Sequence, residues 1–261
     1  MSVLEKIIQA KRRRIGIQKL SNSFTDHYIN VNESTKAPRF FDELSKCSNK
    51  YKIIAEMKKA SPSAGLLVEK YIPEELAKEY ESKGFSNLSI LTEEDHFLGS
   101  MNHISKVKKV TNLPVLQKDF IVDEWQIYQA KTIGVDCILL IAEILSKQEI
   151  IDFIHTAKIL KLDVLLEFHA ESEIDKIRGI DLDYIGINNR NLKTLKTDIN
   201  HCLLMRDKFH NELKNFKIIA ESGFKSTMEL ENYKSNGIEL FLIGESILKE
   251  RLWKKIIYYS Y

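Results

Sequence analysis

The chain has 261 residues with 39 basic and 37 acidic side chains, a formal net charge of only +2. That balance argues against nucleic acid or an anionic membrane as the main partner. With 44% hydrophobic residues it can bury one sizeable core, and no window approaches the roughly 18 apolar residues of a membrane span.

The first segment, Leu4–Ile17, puts Leu4, Ile7, Ile8 and Ile15 on one helical face. Its other face is basic (Lys6, Lys11, Arg12, Arg13, Arg14) and is expected to lie in solvent, with an anion-binding helix as the alternative. Residues from about Leu20 to Ser48 are polar and poorly periodic apart from Phe40, Phe41 and Leu44, and read as a covering extension. No signal peptide is visible at the N-terminus. The cysteines, Cys47, Cys137 and Cys202, are odd in number and far apart, which points to free thiols in a reducing, cytoplasmic setting.

From Tyr51 a rhythm sets in: a short apolar run, a polar stretch, a helical pattern, a turn. The runs are Lys52–Met57, Leu88–Leu91, Val115–Gln117, Cys137–Ile141, Val164–Leu166, Tyr184–Ile187, Ile218–Ala220 and Leu240–Ile243. Continuous apolar runs fit parallel strands covered on both faces. Pro73 suits a first helical turn, Gly84, Gly134, Gly179 and Gly237 suit helix C-termini, and Ser146/Glu149 and Ser226/Glu229 read as capping boxes. Eight strands alternating with helices predict an α/β fold, either a (β/α)8 TIM barrel or an open doubly wound sheet. No G-x-G-x-x-G follows the first run, which disfavours a dinucleotide fold.

In a barrel, chemistry gathers at the C-terminal ends of the strands. The first run ends with Glu56 and Lys58, which alternation places on one face; a plain ion pair is the other explanation. The third ends with Lys118, where burial should depress the amine, while Asp119 points the opposite way. The fifth ends with Glu167, where burial should raise the carboxyl. A metal pair of Glu167 with His169 lacks a third ligand at suitable spacing. The sixth ends Asn188-Asn189-Arg190, suited to hydroxyls and carboxylates, or to a tight Asn-Asn turn. The seventh and eighth end Glu221-Ser222-Gly223 and Gly244-Glu245-Ser246. Glycine at both ends permits close backbone approach, the usual barrel phosphate site.

These segments also carry a resemblance. IAEMKKASPSAG (Ile54–Gly65), LTEEDHFLGS (Leu91–Ser100), PVLQKDFIVDEWQIYQA (Pro114–Ala130), LLEFH (Leu165–His169), IGINNRNL (Ile185–Leu192), AESGF (Ala220–Phe224) and LIGESIL (Leu242–Leu248) occur in order. With them the chain resembles the indole-3-glycerol phosphate synthase family of tryptophan biosynthesis. The resemblance implies a single (β/α)8-barrel domain over 1–261, with 1–50 as an N-terminal helical extension covering the barrel. It implies ring closure, decarboxylation and dehydration of 1-(2-carboxyphenylamino)-1-deoxyribulose 5-phosphate, without metal or organic cofactor. It makes Lys118 the acid for ring closure, Glu167 the catalytic glutamate and Lys58 the holder of the substrate carboxylate. Glu56 and Asn188 orient these groups. Ser61, Phe120, Arg190, Glu221 and Ser222 are expected against substrate, and Gly223, Gly244 and Glu245 against phosphate. The departures are Ala64, where the family is often basic, His96, where Phe is common, and Glu245, where some members have Ser. A monomer is expected, with other enzymes of the tryptophan pathway as candidate partners. Three rivals stay open: a sugar-phosphate isomerase, a Schiff-base aldolase and a non-catalytic ligand-binding barrel.

Overall fold

All eight apolar runs are strands, and they close on one another. A computed structural model describes residues 2–21 and 39–249, together with Leu252 and Lys254. Its barrel strands are β1 (Lys52–Met57), β2 (Asn87–Leu91), β3 (Val115–Lys118), β4 (Cys137–Ile141), β5 (Asp163–Phe168), β6 (Tyr184–Asn188), β7 (Lys217–Glu221) and β8 (Leu240–Ile243). Each pairs in parallel with the next and β8 returns to β1, so the sheet has no free edge among the described residues. The open-sheet alternative is thereby excluded; the fold is a (β/α)8 barrel.

The helices between them are α3 (Pro73–Ser82), α4 (Met101–Val107), α5 (Trp125–Thr132), α6 (Lys147–Ile159), α7 (Ile174–Ile177), α8 (His201–Lys208), α9 (His210–Leu213), α10 (Thr227–Ser235) and α11 (Glu245–Leu248); α1 (Val3–Ser21) and α2 (Phe40–Lys46) precede the barrel. Pro73 opens α3, and both capping boxes form at α6 and α10. The four glycines assigned to helix ends all take positive φ. The part of the predicted extension spanning 22–38 lies outside the described residues. A two-stranded hairpin, Ala60–Ser61 against Gly65–Leu66, was not anticipated after β1.

Several strands run one or two residues past the apolar run that announced them, and this has a structural consequence. Side chains two apart on a strand share a face. Ile54, Leu116, Leu165 and Ile219, from the four odd strands, are buried together in one core cluster. Two residues further along the same strands stand Glu56, Lys118, Glu167 and Glu221. Alternate strands supply each layer of a barrel interior, so the uppermost odd-strand layer is three carboxyls and an amine where a hydrocarbon layer would otherwise sit. Between the two, the even strands contribute Ser89, Leu139, Gly186 and Leu242.

The basic face of α1 is solvated only in part: Lys6, Arg12 and Arg13 are exposed as expected, but Lys11 and Arg14 are not. Lys11 is buried and paired with Asp119 and Glu94; Arg14 pairs with Glu94 and Asp95, and Lys19 with Asp123. The rims of β2 and β3 are acidic, and the helix lies across them. Its apolar residues Leu4 and Ile7 join the same core cluster as the lower odd-strand layer. Among the described residues no helix is long and apolar enough to cross a membrane.

Candidate active site

The polar layer forms the floor of a cavity of about 590 Å³ at the C-terminal end of the strands. Every site residue singled out from the sequence lines it. Lys118 Nζ is ion-paired with Glu167 and lies 2.9 Å from Glu221 Oε2. Asn188 Nδ2 donates to the other oxygen of Glu167 at 2.7 Å. Lys58 and Glu56 are ion-paired, so the shared face and the plain ion pair are both correct.

Two expectations about charge are overturned here. Burial alone would depress Lys118, but Glu167, Glu221 and Glu56 outweigh it, and its pKa rises above the ordinary lysine range. Burial alone would raise Glu167, but Lys118 and the hydrogen bond from Asn188 pull it below the ordinary carboxylate range. Glu221 shifts the other way, raised well above that range by burial and then by the adjacent Glu167. Burial acts on each strand end alone, but the layer joins four of them, and their charges decide the sign.

The glycines do more than let a ligand approach. A Cβ on Gly186 would stand 2.1 Å from Glu221 Oε1, and one on Gly244 2.4 Å from Glu56 Oε1. Both missing side chains therefore make room for carboxyls of the polar layer. Ser222 and Gly223 take φ of 68° and 93° in succession, and both line the cavity. Gly244 leads into α11, whose first-turn N–H groups have no partner within the helix. Glu245 turns its carboxylate to Lys249, 3.6 Å away.

In the β6 loop Asn188 and Asn189 face opposite ways. Asn188 reaches Glu167, while Asn189 is fully buried, holding Ser222 O and accepting from Cys202 N and Tyr233 Oη. Arg190 bonds Ser63 Oγ, bridging the β6 loop to the loop after β1. His169 does not join Glu167 as a metal pair: its Nδ1 meets Asn188 O at 2.7 Å and its ring stacks on His201. No cluster of three metal-ligating side chains exists among the described residues.

Sequence reasoning missed part of the wall. Leu4 and Ile7 of α1, and Phe97, Leu192 and Lys225, also line the cavity. Leu4 and Ile7 were legible as an apolar face, but not as one aimed at the mouth. Ala64 lines the cavity too, whereas His96 is turned to Glu93, with Nδ1 3.3 Å from its Oε1.

A (β/α)8 barrel with an acid–base layer at its mouth and glycine loops after β7 and β8 defines a barrel enzyme of the phosphate-binding kind. Comparison with known proteins narrows this. The family model for indole-3-glycerol phosphate synthase matches residues 4–258. The indole-3-glycerol phosphate synthase of Campylobacter fetus subsp. fetus (strain 82-40) is 42% identical over 240 residues, covering 92% of this chain and 88% of that one. That of Endomicrobium trichonymphae is 36% identical over 254 residues, covering 95% of each. The chain belongs to the indole-3-glycerol phosphate synthase family. Among solved structures, N-acetylmannosamine-6-phosphate 2-epimerase from Clostridium perfringens superposes with a TM-score of 0.60 at 13% identity, over 81% of this chain and 93% of that one, a likeness of fold alone.

Proposed function

We propose that this chain is a carboxy-lyase that converts 1-(2-carboxyphenylamino)-1-deoxyribulose 5-phosphate to indole-3-glycerol phosphate, in tryptophan biosynthesis. The observation that carries the reading is Lys118 held between Glu167 and Glu221 in a cavity whose far wall is the pair of glycine loops. The substrate phosphate rests on the backbone of Ser222, Gly223, Gly244 and Glu245. Its carboxylate meets Lys58, with Ser61 and Arg190 beside it, and the aryl ring packs on Phe120.

The aryl carbon bearing the carboxylate attacks the ketone carbon, and Lys118 gives its proton to the ketone oxygen as that bond forms. A charged amine suits this donation, and the raised pKa of Lys118 keeps it charged. Positive charge develops at the ring nitrogen, where ionised Glu167 opposes it. The carbon–carboxylate bond then breaks, carbon dioxide leaves, and its electron pair restores the ring. In the dehydration the hydroxyl leaves as water with a proton from Lys58, and Glu167 accepts a proton from the substrate. Glu56 and Asn188 orient Lys58 and Glu167 through the contacts they already make.

A Schiff-base aldolase needs a neutral, nucleophilic lysine. The carboxyls around Lys118 work against that, so borohydride in the presence of substrate is expected to trap nothing on it. We read 1–261 as one domain with 1–50 as its extension, acting as a cytoplasmic monomer, alone or beside other enzymes of the pathway. The α1 residues in the cavity wall support the first part; light scattering on the purified chain tests the second. The decisive assay incubates the purified chain with the aminodeoxyribulose phosphate and follows indole absorbance, fluorescence and carbon dioxide. Product in one-to-one ratio with carbon dioxide is expected; no product above a Lys118→Met control ends the reading.

A further inference from the structure

Lys11 is a lysine with almost no exposure on a helix that otherwise carries its basic residues at the surface. Its Nζ lies 2.7 Å from Asp119 Oδ1 and 3.4 Å from Glu94 Oε2. Asp119 is equally buried and its carboxylate has further partners. Oδ1 also accepts the Phe120 N–H at 2.7 Å, and Oδ2 accepts the Thr92 hydroxyl at 2.5 Å. Thr92 N donates to Lys118 O at 3.1 Å, and Gln117 Nε2 donates to Thr92 Oγ1 at 3.3 Å. The carboxylate that α1 neutralises is therefore tied to the residues on both sides of Lys118, and to Lys118 itself through the Thr92 backbone.

The same helix sends Val3, Leu4 and Ile7 into the cavity wall. One buried contact thus holds two things: the backbone that aims Lys118 and Phe120, and the apolar wall across from them. We propose that Lys11 is a positioning residue for the reaction read above, acting through Asp119, and that docking of α1 and occupation of the cavity strengthen each other. The inference rests on that reading of the site for its kinetic arm only.

The physics favours a sharp response. A buried carboxylate that loses its cation is strongly disfavoured, so Asp119 would take a proton or turn toward water. Either change loosens its hold on Thr92 and Phe120. Burial works against charge on Lys11, but Asp119 and Glu94 more than offset it, so the amine is held in its charged form. Lys19 with Asp123 makes an exposed ion pair on the same helix, away from this network. Such pairs contribute little, which makes Lys19→Gln the control.

The experiment compares Lys11→Met, Lys11→Arg, Thr92→Val and Lys19→Gln with the unaltered protein in steady-state turnover of the aminodeoxyribulose phosphate. It also follows hydrogen exchange of residues 3–21 with and without indole-3-glycerol phosphate. Lys11→Met is expected to lower kcat roughly 10- to 100-fold, the scale of a misplaced catalytic group, and to raise KM. Lys11→Arg should recover most of that loss. Thr92→Val keeps the ion pair but cuts the link to Lys118, so kcat should fall with KM nearly unchanged. Lys19→Gln should match the unaltered protein in both. Added indole-3-glycerol phosphate should slow exchange in 3–21. Unchanged kcat in both Lys11→Met and Thr92→Val overturns the proposal, whatever happens to Tm. If Lys11→Met does not fold, an unchanged kcat in Thr92→Val is enough to overturn it. Exchange in 3–21 that ignores the ligand overturns the coupling. An unaltered protein that turns nothing over counts against the proposed reaction instead, and the exchange arm still decides whether α1 and the cavity are coupled.

Discussion

The barrel sets carboxylates at both ends, half-buried at one and buried at the other, and treats them differently. At the N-terminal end of the strands Asp163 accepts the N–H groups of Phe40 and Phe41 at 2.8 and 3.4 Å, which seats α2 under the barrel. Asp136 accepts Arg39 Nε at 3.0 Å and Val115 N at 2.8 Å, and pairs with Lys108. These oxygens meet groups of the chain itself, and the charge is used for fastening. At the C-terminal end Lys118 is shared between two carboxyls, and Glu221 Oε1 has no hydrogen-bond partner among the described residues. Glu221 lines the cavity, where a ligand can meet it, whereas Asp163 and Asp136 do not. The residue types are similar; what separates a fastening from a site is whether their hydrogen-bonding capacity is already filled.

The largest effect that would separate the two ends is on turnover. Lys118→Met removes the only cation bonded to Glu167 and Glu221 among the described residues, and should lower kcat by about 10³-fold or more, while general acid–base catalysis alone is worth about 10²- to 10⁴-fold. Because Lys118 stays charged past the ordinary lysine range, the residual rate should keep the pH profile of the unaltered protein between about pH 6 and 9. Glu167→Gln keeps shape and removes the charge that Asn188 and Lys118 stabilise; about a 10²-fold loss is expected. Near-normal turnover in either variant, measured at saturating substrate, would erase the proposed division between the ends.

Next come the glycines that make room for the layer. Gly186→Ala puts a methyl against Glu221, and Gly244→Ala puts one against Glu56. Overpacking of this kind costs about 1–3 kcal/mol, and both carboxyls must shift. Each variant should lose roughly 10-fold or more in kcat/KM alongside a lowered Tm. If the clash with Glu221 is the cause, adding Glu221→Ala to Gly186→Ala should restore Tm, a recovery readable by thermal denaturation. A Gly186→Ala protein with unchanged kinetics would mean that the position of Glu221 is immaterial.

How far the sequence reaches follows the same division. The barrel was legible because parallel strands covered on both faces read as plain apolar runs, and the mouth because each run ends in a charged or glycine residue. The electrostatics were not legible. Lys118, Glu167 and Glu221 are 49 and 54 residues apart in the chain, and only closure of the barrel makes them one layer. Predicting each pKa from burial alone gave the wrong sign for two of them. Lys11 and Arg14 on the basic face of α1 were missed for a related reason: amphipathic spacing identifies a charged stripe but says nothing of an acidic rim 80 or more residues away that part of it covers. Asn189 and Asn188 look alike in sequence, and strand pleating with the bonds to Ser222 O, Cys202 N and the Tyr233 hydroxyl distinguishes the structural one.

The smallest effect lies at the closed end, and it concerns pH. Asp163 is raised to about 6, first by burial, against the pull of the Phe40 and Phe41 N–H groups. A carboxyl whose folded pKa lies above its unfolded value of about 3.9 binds its proton more tightly when folded. Its contribution to stability is therefore complete below the unfolded value and is lost as pH rises through about 6. A shift of about two units would be worth nearly 3 kcal/mol at most, and partial exposure of Asp163 reduces this to about 1 kcal/mol. Asp163→Asn keeps an acceptor for the α2 N–H groups and has no proton to lose. Relative to the unaltered protein it should be less stable at about pH 4 and gain on it steadily toward about pH 8, by a few degrees in Tm. Its kcat at about pH 7.5 should not change, since Asp163 sits at the end of the strands away from the cavity. A Tm difference that stays flat across this range would mean that folding does not raise Asp163 and that the Phe40 and Phe41 N–H groups outweigh its burial.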